Sequence, residues 1–194
     1  MIRRLISLLA LCASLSAVQA QNFGVALGVP IVYEHLPEGR DYVPYTLLGQ
    51  LEFPLRTRRR TVDETHWFIV VEPQINFVHL PVDADRTPLI DLDPDRAIEF
   101  GANAGIRYRL PVNPSLRLHA QISAGPHYIS RDYPGLQAGG YIFSDNFALG
   151  ADLPFGESGR SLLLQTRFRH LSNAGLMEPN KGIDNWFLVM GILF

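Results

Sequence analysis

The chain has 194 residues, a formal net charge of −2, 47% apolar residues and a single Cys. A charge this close to zero excludes nucleic acid as the main partner, because phosphate binding needs a clustered basic excess. The apolar content excludes a disordered chain. Outside the first 20 residues no run of about 18 apolar positions exists, so a helical membrane protein is excluded too.

Residues 1–20 read as a secretory signal peptide. Arg3 and Arg4 supply the positive start, Leu5 to Leu15 the apolar stretch, and Val18 and Ala20 the −3 and −1 positions of a cleavage site before Gln21. Cys12 lies inside this leader, preceded by Leu11 where a lipoprotein signal wants a small residue, so lipidation is not expected. Residues 21–194 then form one domain without Cys. An exported domain without disulfides is held by its core, by a closed sheet or by a bilayer.

Beyond the leader the pattern has period two, with Gly, Pro, Asn and Asp clusters between segments and no helix-period stretch. The first apolar row is Phe23, Val25, Leu27, Val29, Ile31 and Tyr33. The second runs from Tyr45 to Leu55, the third from Trp67 to Phe77, and the fourth from Ile98 to Tyr108. The fifth is Leu116 to Tyr128. A sixth holds Tyr141, Phe143, Phe147, Leu149 and Leu153, a seventh Leu162, Leu164 and Phe168, and an eighth Trp186 to Phe194. Each segment is about 10 to 13 residues, long for a soluble strand and right for a tilted strand that crosses a bilayer. The alternate positions carry Glu52, Glu72 and Glu99 together with Arg107, Arg117, Arg167 and Arg169. Both signs on one face suit a narrow lumen of paired charges.

The fold expected is all-β: an eight-stranded antiparallel transmembrane β-barrel of the outer-membrane type. A soluble eight-stranded barrel or sandwich, with the apolar row turned inward, is the competing reading. Eight strands leave an interior filled by side chains, which excludes a diffusion pore. Activity then belongs on the loops, a mouth or the lipid-facing wall. Outer connections are expected at 36–42, 80–96, 131–136 and 173–182, and inner turns at 111–114, 154–160 and a longer basic one from Arg56. The outer loop with Asp83, Asp85, Asp91, Asp93 and Asp95 lacks the Gly and terminal Glu of an EF-hand and reads as a solvated acidic loop. His66, His79, His119 and His127 are scattered without ligand-spaced partners, so no metal and no cofactor is expected.

Polar groups do interrupt the lipid-facing row. Counting by twos from Leu162 reaches His170 and Ser172. Counting back from Phe194 reaches Asp184. One loop joins the two strands, so His170, Ser172 and Asp184 fall on one face near its outer end, where neighbours lie about 5 to 7 Å apart. A Ser, a His and a carboxylate together can form a nucleophilic triad. The alternative is that all three merely sit at headgroup depth, where polar groups cost little.

The stretch His170-Leu171-Ser172-Asn173-Ala174-Gly175, with Pro179-Asn180-Lys181-Gly182-Ile183-Asp184 after it, resembles the lipid A 3-O-deacylase (PagL) family of outer-membrane hydrolases. The resemblance implies an ester hydrolase that removes the 3-O-acyl chain of lipid A in the outer leaflet. It implies Ser172 as nucleophile, His170 as general base and Asp184 as the third group, where the best-known members carry Glu. It also implies an oxyanion or substrate-positioning role for Asn173, Gly175 and Asn180. The partners it implies are lipopolysaccharide and the outer membrane; dimerisation is left open. A non-catalytic structural or adhesive barrel, an outer-membrane phospholipase and a soluble periplasmic lipid-binding barrel are the other readings.

Overall fold

The computed structural model describes residues 22–36, 40–55, 66–81, 96–133, 135–156 and 159–194. The leader, the basic turn from Arg56 and the acidic loop from Asp83 to Asp95 lie outside the described residues. The strands are β1 (Asn22–Val32), β2 (Glu34–Leu36), β3 (Arg40–Pro54), β4 (Trp67–His79), β5 (Arg96–Asn113), β6 (Leu116–Ile129), β7 (Gly140–Pro154), β8 (Ser161–Ser172) and β9 (Ile183–Leu193). All pairings are antiparallel between sequence neighbours, and β1 pairs with both β9 and β3, which closes the sheet.

The barrel has eight staves, because β2 continues β1 along β3 after a register irregularity between Pro30 and Val32. That continuation shortens the first outer connection from the expected 36–42: His35 already faces Asp41 and Leu36 faces Arg40. β5 is the longest strand at 18 residues. It keeps its pairing with β6 as far as Asn113, whose side chain caps the Ser115 N–H at 2.9 Å and tightens the turn. Strand length therefore exceeds the 10 to 13 residues expected where pairing persists beyond the apolar band.

The outward rows are apolar, as the alternation requires: Leu27, Ile122 and Met190 are each more than half exposed. Aromatic side chains band both ends of this wall. Phe23 stacks on Phe194 at 4.8 Å and Trp67 meets Tyr108 at 4.8 Å near the inner turns, while Tyr128 contacts Phe100 and Tyr141 near the outer loops. Such girdles mark the two interfaces of a bilayer.

The inward rows hold the charges. Glu52 accepts hydrogen bonds from Arg107 at 2.7 Å and Arg109 at 2.8 Å, and Arg109 also reaches Asp152 at 2.7 Å. Glu72 pairs with Arg167 at 2.6 Å. Glu99 pairs with Arg169 at 3.2 Å and accepts from the Tyr42 hydroxyl. Every carboxylate here is fully buried, and each has a guanidinium delivered from across the barrel, which is the condition for keeping a charge in a dry interior. Arg117, expected in the same row, is half-buried at the inner end and bonds Ser161 instead. His119 and His127 line the lumen, whereas His66 and His79 sit at the rims.

An apolar plug closes the outer mouth. Leu36, Tyr42, Leu80, Ile129, Leu171 and Ile183 point inward from the strand ends and meet Tyr133 and Leu136 from the β6–β7 loop. The loop was expected over 131–136; it spans 130–139 and folds back through a bridge between Tyr133 and Gln137. Burial pushes the Tyr133 hydroxyl well above its ordinary titration range, so it stays protonated, facing Glu99 at 3.4 Å.

Candidate active site at the outer rim

The β8–β9 hairpin sets His170 directly opposite Asp184, both on the outward face. His170 Nδ1 lies 2.6 Å from Asp184 Oδ1. A carboxylate can only accept, so this bond puts the ring proton on Nδ1 and leaves Nε2 as the acceptor. The His170 side chain is 37% exposed and that of Asp184 57%.

The ring leans outward over Gly182. A Cβ built at that position would lie 2.5 Å from His170 Cε1 and 3.1 Å from Nε2, and Gly182 has φ +83°. Both facts require glycine. Leu171 faces Ile183, so continuing that register places Ser172 opposite Gly182. The free Nε2 edge of the imidazole thus reaches the row that Ser172 occupies. Ser172 is half-exposed on the same face, and its hydroxyl makes no hydrogen bond among the described residues.

The loop that follows is bound mostly to itself. The Asn173 N–H donates to Asn180 Oδ1 at 2.8 Å, Asn173 Nδ2 donates to the Met177 carbonyl at 2.7 Å, and Asn173 Oδ1 accepts from the Gly175 N–H at 3.0 Å. Ala174 and Gly175 take consecutive positive φ values of 55° and 77° to make the reversal. The Asn173 amide and the Gly175 N–H are therefore spent on building the turn. Asn180 differs. Because its Oδ1 must be the acceptor, its orientation is fixed and Nδ2 faces the other way, with no partner among the described residues.

The β6–β7 loop braces this turn. Gln137 bridges to Asn180, the Ala138 N–H donates to the Pro179 carbonyl at 2.8 Å, and the Lys181 N–H to the Leu136 carbonyl at 2.8 Å. The brace rests on Tyr133 and Leu136 in the apolar plug, so the site loop stands on the core rather than on solvent.

Asp145 is the residue the sequence reading passed over. It lies on the outward face of β7, exposed, directly across from His170 on the side away from Asp184. The signal was present: Asp145 breaks the sixth row between Phe143 and Phe147.

Wall, girdles and closure define the class, a transmembrane β-barrel with a histidine–carboxylate pair at headgroup depth on its lipid-facing side. Residues 53–192 match the family described as Lipid A 3-O-deacylase (PagL), and the chain belongs to that family. Two solved structures share the fold. The outer membrane enzyme PagL aligns at TM-score 0.58 and 16% identity, covering 88% of this chain and 97% of that one. Neisserial surface protein A (NspA) aligns at TM-score 0.56 and 9% identity, covering 89% and 94%. A comparison with curated proteins found no match. The chain is a protein of the bacterial outer membrane.

Proposed function

We propose that this chain hydrolyses the ester that links the 3-O-acyl chain to lipid A, with Ser172 as nucleophile, His170 as general base and Asp184 as the group that orients His170. The carrying observation is the His170 Nδ1–Asp184 Oδ1 contact of 2.6 Å on the lipid-facing wall. It selects the tautomer whose Nε2 can take a proton, and the lean over Gly182 aims that nitrogen at the Ser172 row.

His170 removes the Ser172 proton as the oxygen attacks the ester carbonyl, and Asp184 stabilises the imidazolium that forms. The contact between Ser172 and Nε2 closes when substrate arrives, since such bonds are commonly loose in the empty site. Asn180 Nδ2, uncommitted within the loop, is the donor proposed for the developing oxyanion; one such donor is worth about 10²–10³ in rate. Asn173 and Gly175 act one step back, by shaping the turn that presents Asn180. His170 then returns the proton to the leaving sugar hydroxyl, and water cleaves the acyl-enzyme. The shorter reach of Asp184, compared with the Glu expected from the family resemblance, is met here by direct cross-strand register. Because the groups face lipid, the acyl chain stays in the bilayer throughout.

The test is mass spectrometry of lipid A from cells that express the wild-type chain or Ser172→Ala. Loss of one 3-hydroxyacyl unit only with wild type supports the reading. Identical spectra, with both barrels in the outer membrane, would sink it. A phospholipid ester meets the same groups, so a parallel assay of phospholipid hydrolysis separates that alternative.

A further inference from the structure

Three backbone hydrogen bonds of the β6–β7 loop converge on one residue. The Tyr133 N–H donates to the Gln137 carbonyl at 2.8 Å, and the Tyr133 carbonyl accepts from the N–H groups of Leu136 at 3.0 Å and Gln137 at 2.9 Å. Asp132 ties the far side of the turn by accepting the Gly139 N–H at 2.6 Å. The turn is closed on itself, so it is placed wherever the Tyr133 ring is held.

That ring is wholly buried and stands edge-on to Tyr42, with centroids 5.2 Å apart and planes at 87°. The Tyr42 hydroxyl accepts from Arg169 Nη2 at 2.9 Å and donates to Glu99, which also takes Asn76 Nδ2 at 3.0 Å. Arg169 is the residue before His170 and points inward where His170 points outward. The proposed base and the turn that grips Asn180 are therefore referenced to one guanidinium.

From Tyr133 the turn reaches the site through backbone alone. The Ala138 N–H on the Pro179 carbonyl and the Lys181 N–H on the Leu136 carbonyl flank the bridge between Gln137 and Asn180. A second hold, on the side chain, is the Asn173 N–H on Asn180 Oδ1. With the side chain alone held, the Asn180 backbone could swing, and about 1 Å of misplacement can cost about 10²-fold in rate.

We propose that Tyr133 is a positioning residue for the reaction: its ring, seated against Tyr42, fixes the bridge that presents Asn180 Nδ2 to the oxyanion. The assignment rests on the oxyanion role proposed for Asn180. The ring carries the effect, since the Tyr133 hydroxyl meets Glu99 only at 3.4 Å.

The test is a double-mutant cycle on the full chain purified in detergent, with release of the 3-hydroxy acid from lipid A as readout. The folded form of each variant is confirmed by its shift on unheated gels. Tyr133→Ala is expected to lower kcat by about 30-fold with KM within about twofold, and Tyr133→Phe to stay within about threefold of wild type. In an Asn180→Ala background the same Tyr133→Ala change should cost less than about threefold more, because the donor it positions is already gone. Should Tyr133→Ala yield no folded barrel, Ala138→Pro deletes the N–H given to Pro179 without touching the plug, and the same pattern is expected of it. Equal falls with and without the Asn180 side chain would overturn the assignment and leave Tyr133 a stability residue. A fall in Tyr133→Phe as large as in Tyr133→Ala would overturn the role of the ring. An unchanged rate for Asn180→Ala would sink the oxyanion reading itself, whereas a slow Asn180→Ala beside a normal Tyr133→Ala would sink this inference alone.

Discussion

The lumen and the outer rim use the same residue types in opposite ways. Inside, Glu52, Glu72 and Glu99 are wholly buried and each is saturated by an Arg from a distant strand. At the rim, Asp145 and Ser172 have no partner among the described residues, and the His170–Asp184 pair keeps one ring nitrogen unused. The lumen is buried, so an unmatched charge there costs several kcal/mol and each of these carboxylates is committed to a guanidinium. The rim lies at headgroup depth, where a polar side chain costs about 0–1 kcal/mol and can remain available. Saturation holds the fold; incompleteness leaves groups available for the proposed chemistry.

Substitutions in the two regions separate these roles, and tenfold in rate, about 1.4 kcal/mol, puts them on one scale. The largest effect is expected for Ser172→Ala and Asp184→Asn, each lowering release of the 3-hydroxy acid by about 10⁴-fold while the barrel still shows a folded-form shift on unheated gels. Asp184→Glu keeps the carboxylate and should stay within about tenfold of wild type. Near-normal release by Asp184→Asn would break the comparison at the rim. Next, Glu52→Gln leaves Arg107 without a carboxylate and Arg109 with Asp152 alone, and should destabilise the barrel by about 3–5 kcal/mol in denaturant unfolding. The folded fraction should turn over substrate normally, and a slowed folded fraction would show that lumen and rim are not independent. Gly182→Ala places a methyl against the imidazole, and about a 10²-fold fall in kcat is expected with little change in KM. The smallest effect is Ala174→Gly. It relieves a positive φ of 55° but adds freedom to the unfolded chain, so stability should move by less than about 1 kcal/mol.

Much of this was legible because period-two alternation and membrane length are one-dimensional signals. The eight rows and the outward placement of His170, Ser172 and Asp184 follow from counting by twos. The His170–Asp184 contact could be anticipated because a single loop joins their strands, which restricts the register. Features that depend on a third dimension were not legible. The space Gly182 leaves for the imidazole is set by ring orientation. The brace from Leu136 and Ala138 to Lys181 and Pro179 uses backbone groups, which any sequence carries. The hydrogen bonds that occupy the Asn173 amide and the Gly175 N–H were not legible for the same reason: a loop's donors can be spent within it, and residue identity does not show which are. The irregularity between Pro30 and Val32 and the break at Tyr33 between β1 and β2 were not legible, because the alternation Val29, Ile31, Tyr33 runs through them unbroken.

The brace between the last two outer loops also bears on engineering. The proposed machinery, from His170 to Asp184, occupies one hairpin, and its support, from Tyr133 to Ala138, comes from the connection before β7. A graft of the β8–β9 hairpin alone into another eight-stranded barrel would carry the dyad but leave Asn180 unsupported. A graft of β6 to β9 with both loops would carry the brace as well, but foreign staves in place of β1 to β5 would have to keep Tyr42, Glu72 and Glu99, which hold Tyr133, Arg167 and Arg169.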